Sequence, residues 1–276
     1  MDYNSEQNVH YLSVCLFYYA LQSLTTNSDL PPSLPQGNAK QGEALIRARG
    51  LVKKYRTAAG DFTAIKGIDL DVYPGEFLGI VGKSGAGKST LVNLLTGVDY
   101  LTDGEVWIDG VPVHQLDENQ RAQWRGSHIG LIYQAFHLMP TLSLLDNVML
   151  PMDFTGLYHA LTSPKRAMAL LRQVGLEEHA RKPPTAISGG QQQRVAIARA
   201  LINDPPVIVA DEPTGRLDSA TAELIFDMFQ ELLEQGKTLV MVTHDRSLEQ
   251  RVSRVIEIAD GVIAQPGSEV NRDDGL

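Results

Sequence analysis

The spacing of apolar positions changes several times along the chain, and the changes divide it into blocks. Val9, Leu12, Leu16, Ala20 and Leu24 recur at helical spacing, with Phe17 and Leu21 beside them, so the first block predicts an amphipathic helix. Two readings of it stand: an interfacial or partner-binding helix, or an extension outside the fold that follows from a start codon placed far upstream. Residues 25–42 lose the pattern. Their Ser, Thr, Asn, Gln and Gly, with Pro31-Pro32 and Pro35, predict a linker, which makes 1–42 an extension and starts the folded domain at residue 43.

From there short β-type runs dominate. Ala44 to Gly50 and Thr63 to Val72 predict strands, and Phe77 to Val81 is a short continuous apolar run of the kind buried in a sheet. A helix is predicted from Lys88 to about Gly97, and Gly104 to Val113 reads as a hairpin turning at Asp109-Gly110, a pair suited to a type I′ turn. Ile129 to Tyr133 is the next strand. Residues 141–186 carry helical pattern with no strong strand, which suggests an inserted helical lobe over about 135–187. After Ser188 come a helix to about Asn203, strand Val207 to Ala210, helix Ser219 to Gln235, strand Thr238 to Thr243, and a strand pair around Val255 to Ile263. This alternation predicts an α/β domain over 43–265 with a largely parallel sheet covered by helices, and 266–276 reads as a disordered tail.

Composition narrows the partners. Hydrophobic residues at 43% and charged residues at 21% are ordinary for a globular protein, but the formal net charge is -9. That balance argues against nucleic acid, whose phosphates need a basic face, and against docking by charge onto an anionic leaflet. Val9 to Leu24 falls short of the roughly 20 apolar residues of a spanning helix and is interrupted by Ser13, Gln22 and Ser23. No lysine or arginine precedes Lys40, so the flank of a secretory signal is missing and no direct membrane insertion is expected. Any membrane association should run through a protein partner. The single cysteine, Cys15, cannot form an intrachain disulfide.

The chemistry gathers in three segments. Gly82-Lys83-Ser84-Gly85-Ala86-Gly87-Lys88-Ser89-Thr90 follows an apolar strand and opens a helix, the pattern of a phosphate-binding loop. Its glycines let backbone N–H groups approach phosphate oxygens, and the helix aims its positive end at the same anion. Lys88 is placed to reach the β- and γ-phosphates of ATP, and the Ser89 hydroxyl to hold Mg2+. Val207-Ile208-Val209-Ala210 delivers Asp211 and Glu212 to the carboxyl edge of the sheet, where ligands of such sheets bind. Asp211 then serves Mg2+, and Glu212 orients and deprotonates the attacking water. Ser188-Gly189-Gly190-Gln191 opens a further helix and makes a second anion site. One domain cannot fold both sites onto one triphosphate, whereas two antiparallel copies can.

These parts in this order resemble the nucleotide-binding ATPase of an ABC transporter. Ile187 stands before Ser188 where that family usually has leucine. The resemblance implies a phosphate-loop (RecA-like) ATPase core with an antiparallel β subdomain and an inserted helical subdomain. It implies that Tyr55 stacks on adenine, that Gln134 senses Mg2+ and the attacking water, and that His244 contacts the γ-phosphate. Asp218, in Gly215-Arg216-Leu217-Asp218, resembles the acid of the loop that communicates between the two sites; Arg216 departs from the usual uncharged residue there. His159 and His179 are expected to be surface residues.

Gly130 to Thr141, Asp146-Asn147-Val148 and Ala210-Asp211-Glu212-Pro213-Thr214-Gly215 are similar to the branch that serves lipoprotein release, macrolide export and cell division. That implies a homodimer bound to a separate integral membrane permease at the cytoplasmic face of the inner membrane. Mechanical coupling to export or lipoprotein release is the leading expectation. A regulatory switch acting on a membrane partner without transport is the alternative. A soluble ABC ATPase of translation or DNA repair fits less well, because such chains carry paired cassettes or a long coiled coil.

Overall fold

Alternating buried and exposed positions in β1 (Ile46–Thr57) and β2 (Gly60–Val72) mark strands with one covered face, and they pair antiparallel. The computed structural model describes residues 42–57, 60–244 and 251–264; the expected N-terminal helix, linker and C-terminal tail lie outside the described residues. β1 starts at Ile46, two positions inside the expected run, and continues past Gly50 through a register irregularity between Ala48 and Leu51. Gly50 has φ 55, which supplies the local kink that ended the simple alternation in the sequence. With β4 (Asp103–Ile108) and β5 (Val111–Pro112) these strands form a four-stranded sheet in the order β2-β1-β4-β5. The β4–β5 turn has positive φ at Asp109 (49) and Gly110 (78), as a type I′ turn requires.

The second sheet has six strands in the order β10-β9-β3-β8-β7-β6. β3 (Phe77–Val81), β6 (Ile129–Tyr133), β7 (Val207–Asp211), β8 (Thr238–Val242) and β9 (Arg254–Ala259) run parallel, and β10 (Val262–Ile263) closes the edge antiparallel to β9. Every residue of β3 and β8 is buried, which explains why these strands read as unbroken apolar runs. The register sets Tyr133 beside Asp211, Asp211 beside Val242 and Val242 beside Ile80. The residues that follow each of these positions therefore emerge together on one edge.

Helices α1 (Lys88–Leu95), α3 (Leu144–Thr155), α4 (Ser163–Gln173), α5 (Gly189–Leu201) and α6 (Ser219–Glu234) fall where helical pattern was read. α2 (Glu118–His128) was not expected. It buries only Arg121 and Trp124, too little for a readable apolar stripe, and it rests on a capping box between Asp117 and Gln120.

Two apolar clusters organise the packing. Phe77, Ile132, Ile208 and Met241 of the sheet meet Ile197 of α5 and Ile225, Phe226 and Phe229 of α6. Leu144 and Val148 of α3, Leu171 of α4 and Val195, Ala198 and Ile202 at α5 form the other. α5 belongs to both, with successive positions turned to opposite sides. Among the described residues no helix is long and apolar enough to cross a membrane.

Candidate functional site

The loop leaving β3 is shaped by glycines that admit no substitute. An ideal Cβ at Gly82 would sit 2.3 Å from the Ile258 carbonyl oxygen, and one at Gly87 2.8 Å from that of Ala64. Gly85 and Gly87 also lie in the left-handed region, at φ 78 and 106. Lys88 is buried and folds back into the loop, where Nζ donates to the carbonyls of Gly82 (2.8 Å) and Lys83 (3.0 Å). The start of α1 has no side-chain cap and no acidic residue in its first turn, so its free N–H groups remain available to an anion.

Next to this loop, the end of β7 carries two carboxylates with different surroundings. Burial pushes the Asp211 carboxyl above its usual range and the adjacent Glu212 charge adds to that, against a hydrogen bond from Ser89 and the charge of Lys88. Glu212 has φ 46, and its N–H donates to the Val242 carbonyl at 2.9 Å, which turns the side chain out of the strand line. Gln134 Nε2 donates to Glu212 Oε2 at 3.1 Å, and His244 Nδ1 lies 3.1 Å from Glu212 Oε1. Gly215 closes over the pair, since a Cβ there would come within 2.8 Å of Gln134 Nε2. Residues from the ends of β6, β7 and β8 thus converge on one carboxylate.

Tyr55 flanks the phosphate loop. Its hydroxyl donates to Asp99 Oδ2 at 2.8 Å, with Thr90 beside it, and burial raises its pKa. Lys53 Nζ sits 2.6 Å from Asp99 Oδ1 and 4.8 Å from the centre of the Tyr55 ring. Burial pushes the Asp99 carboxyl up, but hydrogen bonds from Lys53, Tyr55 and the Tyr100 amide outweigh it and hold it below its usual range.

A second group lies at the starts of α5 and α6. Ser188 caps α5, accepting from the Gln191 N–H at 3.3 Å while Gln191 Oε1 accepts from the Ser188 N–H at 2.9 Å. Asp218 caps α6, accepting from the Thr221 N–H at 3.0 Å and its hydroxyl at 2.7 Å, and these bonds hold its carboxyl below the usual range. The two helix starts meet where a Cβ at Gly190 would lie 2.6 Å from Thr221 Cγ2. Ser188, Gly189 and Asp218 are all exposed.

The fold therefore brings Lys88, Ser89, Gln134, Asp211, Glu212 and His244 into one site, with Tyr55 at its flank. Ser188, Gly189, Gly190, Gln191 and Asp218 form a separate surface, with Gly190 and Gln191 half-buried in it. Lys53 and Asp99 were not read from the sequence. The only local signal was that Lys53 shares a strand face with Tyr55, two positions away.

A phosphate-binding loop on a parallel sheet, a carboxylate pair on the next strand but one and an attached antiparallel sheet define an ATPase cassette. Residues 65–215 match the model of the ABC transporter family, and the chain belongs to that family. Over 221 residues it is 46% identical to the macrolide export ATP-binding/permease protein MacB of Syntrophobacter fumaroxidans, covering 79% of this chain but 31% of that much longer one. It is 42% identical over 233 residues to the lipoprotein-releasing system ATP-binding protein LolD of Xanthomonas campestris pv. campestris, covering 84% of this chain and 97% of that protein.

An ABC transporter ATP-binding protein of Methanocaldococcus jannaschii is 43% identical over 223 residues, covering 79% of this chain and 95% of its own. The dimeric structure of that cassette, in a post-hydrolysis state bound to ADP and Pi, superposes with TM-score 0.75 at 41% identity, covering 80% of this chain and 97% of that one. The α/β core, its antiparallel sheet and its helical lobe are those of such cassettes. The protein is an ATP-binding ATPase subunit of the lipoprotein-release and macrolide-export branch.

Proposed function

We propose that this chain works as a head-to-tail homodimer that closes on two ATP molecules and drives a separate integral membrane permease from the cytoplasmic face of the inner membrane. Each ATP lies between the phosphate loop of one protomer, Gly82 to Thr90, and Ser188, Gly189, Gly190 and Gln191 of the other. Lys88 exchanges its carbonyl partners for phosphate oxygens, and Tyr55 offers a ring face to adenine. Asp211 is half-buried beside a neutral hydroxyl, a setting that gains from a hard cation, so Ser89, Asp211 and Gln134 would hold Mg2+. The ion supplies charge neutralisation on phosphate oxygens. Glu212 takes the proton of the attacking water, Gln134 and His244 fix its two oxygens, and Asp218 faces the partner protomer.

The observation that carries this reading is Glu212, held between Gln134 and His244 one residue beyond the half-buried Asp211. The test is Glu212→Gln, assayed by phosphate release and size-exclusion chromatography with ATP. Turnover should fall about 10²- to 10⁴-fold while ATP binding persists and a dimer accumulates. Hydrolysis at the wild-type rate would remove Glu212 from the role of base. Affinity capture of the same variant from solubilised membranes should bring down a permease; the absence of any membrane protein would defeat the permease assignment.

A further inference from the structure

Arg199 lies about three turns along α5 from Gly189. Burial lowers its pKa to about 10, and no carboxylate among the described residues pairs with it. Its guanidinium is spent on the backbone of a loop: Nη2 donates to the Phe136 carbonyl at 2.7 Å and Nη1 to the His137 carbonyl at 2.5 Å. Both acceptors are non-glycine residues in the left-handed region, at φ 60 and 47, directly after the turn that carries Gln134. Backbone held in that region costs on the order of 1–3 kcal/mol per residue and persists only where surrounding contacts enforce it. The charge-assisted bonds from Arg199 add to the backbone bonds of Phe136 N–H to Tyr133 (3.2 Å) and His137 N–H to Ala135 (2.6 Å) in doing so. The Phe136 ring also lies beside the other end of α5, 3.7 Å from where a Cβ at Gly189 would stand.

We propose that Arg199 is a positioning residue for Gln134. It makes the bent segment after Gln134 move as one body with the helix that begins at Ser188, so that contact made at Ser188 and Gly189 changes the bond from Gln134 to Glu212. The inference rests on the roles given to Gln134 and Glu212 above. A distant packing residue would leave the turnover of folded protein intact. A positioning residue shifts turnover while leaving the affinity of the phosphate loop alone.

The test compares Arg199→Lys, Gln134→Ala and the double variant in steady-state hydrolysis, with ATP binding measured on each as the check of folding. A lysine ammonium cannot reproduce the planar fork that spans two carbonyls. Arg199→Lys should therefore lower kcat about 10- to 100-fold, the scale of an ångström's misplacement. KM for ATP should move no more than about threefold, and the double variant should be no slower than the worse single one. Effects that multiply in the double variant overturn the proposal, as does a raised KM with kcat intact. Normal hydrolysis by Gln134→Ala overturns it differently, by removing the role of Gln134 itself. If Arg199→Lys fails to bind ATP, Phe136→Leu replaces it, since it removes the ring beside Gly189 and keeps both carbonyls. Additivity of that variant with Gln134→Ala overturns the proposal equally.

Discussion

Asp211 and Glu212 are chain neighbours with different partners, and what surrounds Asp211 is testable. Asp211 is pushed above the usual carboxylate range chiefly by burial, so the ligand-free native state binds a proton there more readily than the unfolded chain does. Stability without nucleotide must then fall as pH rises from the ordinary carboxylate value through the raised one, and the cost stays in place at neutral pH. Asp211→Asn should consequently melt higher than the wild type at pH 7 without ligand, and the gap should close as pH drops from the raised value to the ordinary carboxylate value. Its hydrolysis should fall at least about 10²-fold, because a preorganised charge at the phosphates is lost. Thermal melts over a pH series, with phosphate release at pH 7, check both halves. These two carboxylates were legible because an apolar strand points at them. Lys53 and Asp99 were not, since their ion pair joins residues far apart in the chain and appears only once β1 folds beside α1.

At the scale of an element, the approach to α3 depends on one buried amide. Asn147 is wholly buried; its Oδ1 accepts from the Met139 N–H at 2.7 Å, and its Nδ2 donates to the carbonyls of Met139 (3.1 Å) and Ser143 (3.0 Å). Asn147→Ala takes the acceptor from the Met139 N–H, while the Met139 and Ser143 carbonyls keep the backbone N–H groups of Leu142 and residue 147, so unfolding free energy should drop by about 1–3 kcal/mol. The denaturation midpoint should fall at unchanged slope, and a midpoint equal to the wild type would show that water replaces the amide. The same neighbourhood shows what sequence pattern conveys and what it does not. The central strands β3, β7 and β8 were readable because they are buried on both faces. α2 was hidden, because Arg121 covers the core with its aliphatic stem and stacks on Tyr100 where a leucine would have announced a helix.

For the whole molecule, the shared helix α5 means that the two apolar clusters are not independent, and closure on ATP should be felt throughout. A ligand that binds only the native state at a hundred times its dissociation constant adds about 2.7 kcal/mol of stability. In the Glu212→Gln variant ATP should raise the melting temperature, and the rise should grow with protein concentration, because the closed state takes two chains. Scanning calorimetry at several concentrations checks it; a rise independent of concentration would mean that ATP closes one chain alone. Motif order already pointed to a pair. Strand order did not, since nothing along the chain states that β8 inserts between β3 and β7.

That insertion has a consequence for what can vary. Lys88, His244, Glu212 and Gln134 follow strands β3, β8, β7 and β6, which are consecutive in the sheet, and such strands stand ~4.8 Å apart wherever they pair. The reach of the chemistry is therefore ruled off in peptide hydrogen bonds, a gauge common to every residue type. Drift in the surrounding side chains will wear down the protein's margin of stability long before it alters the gauge.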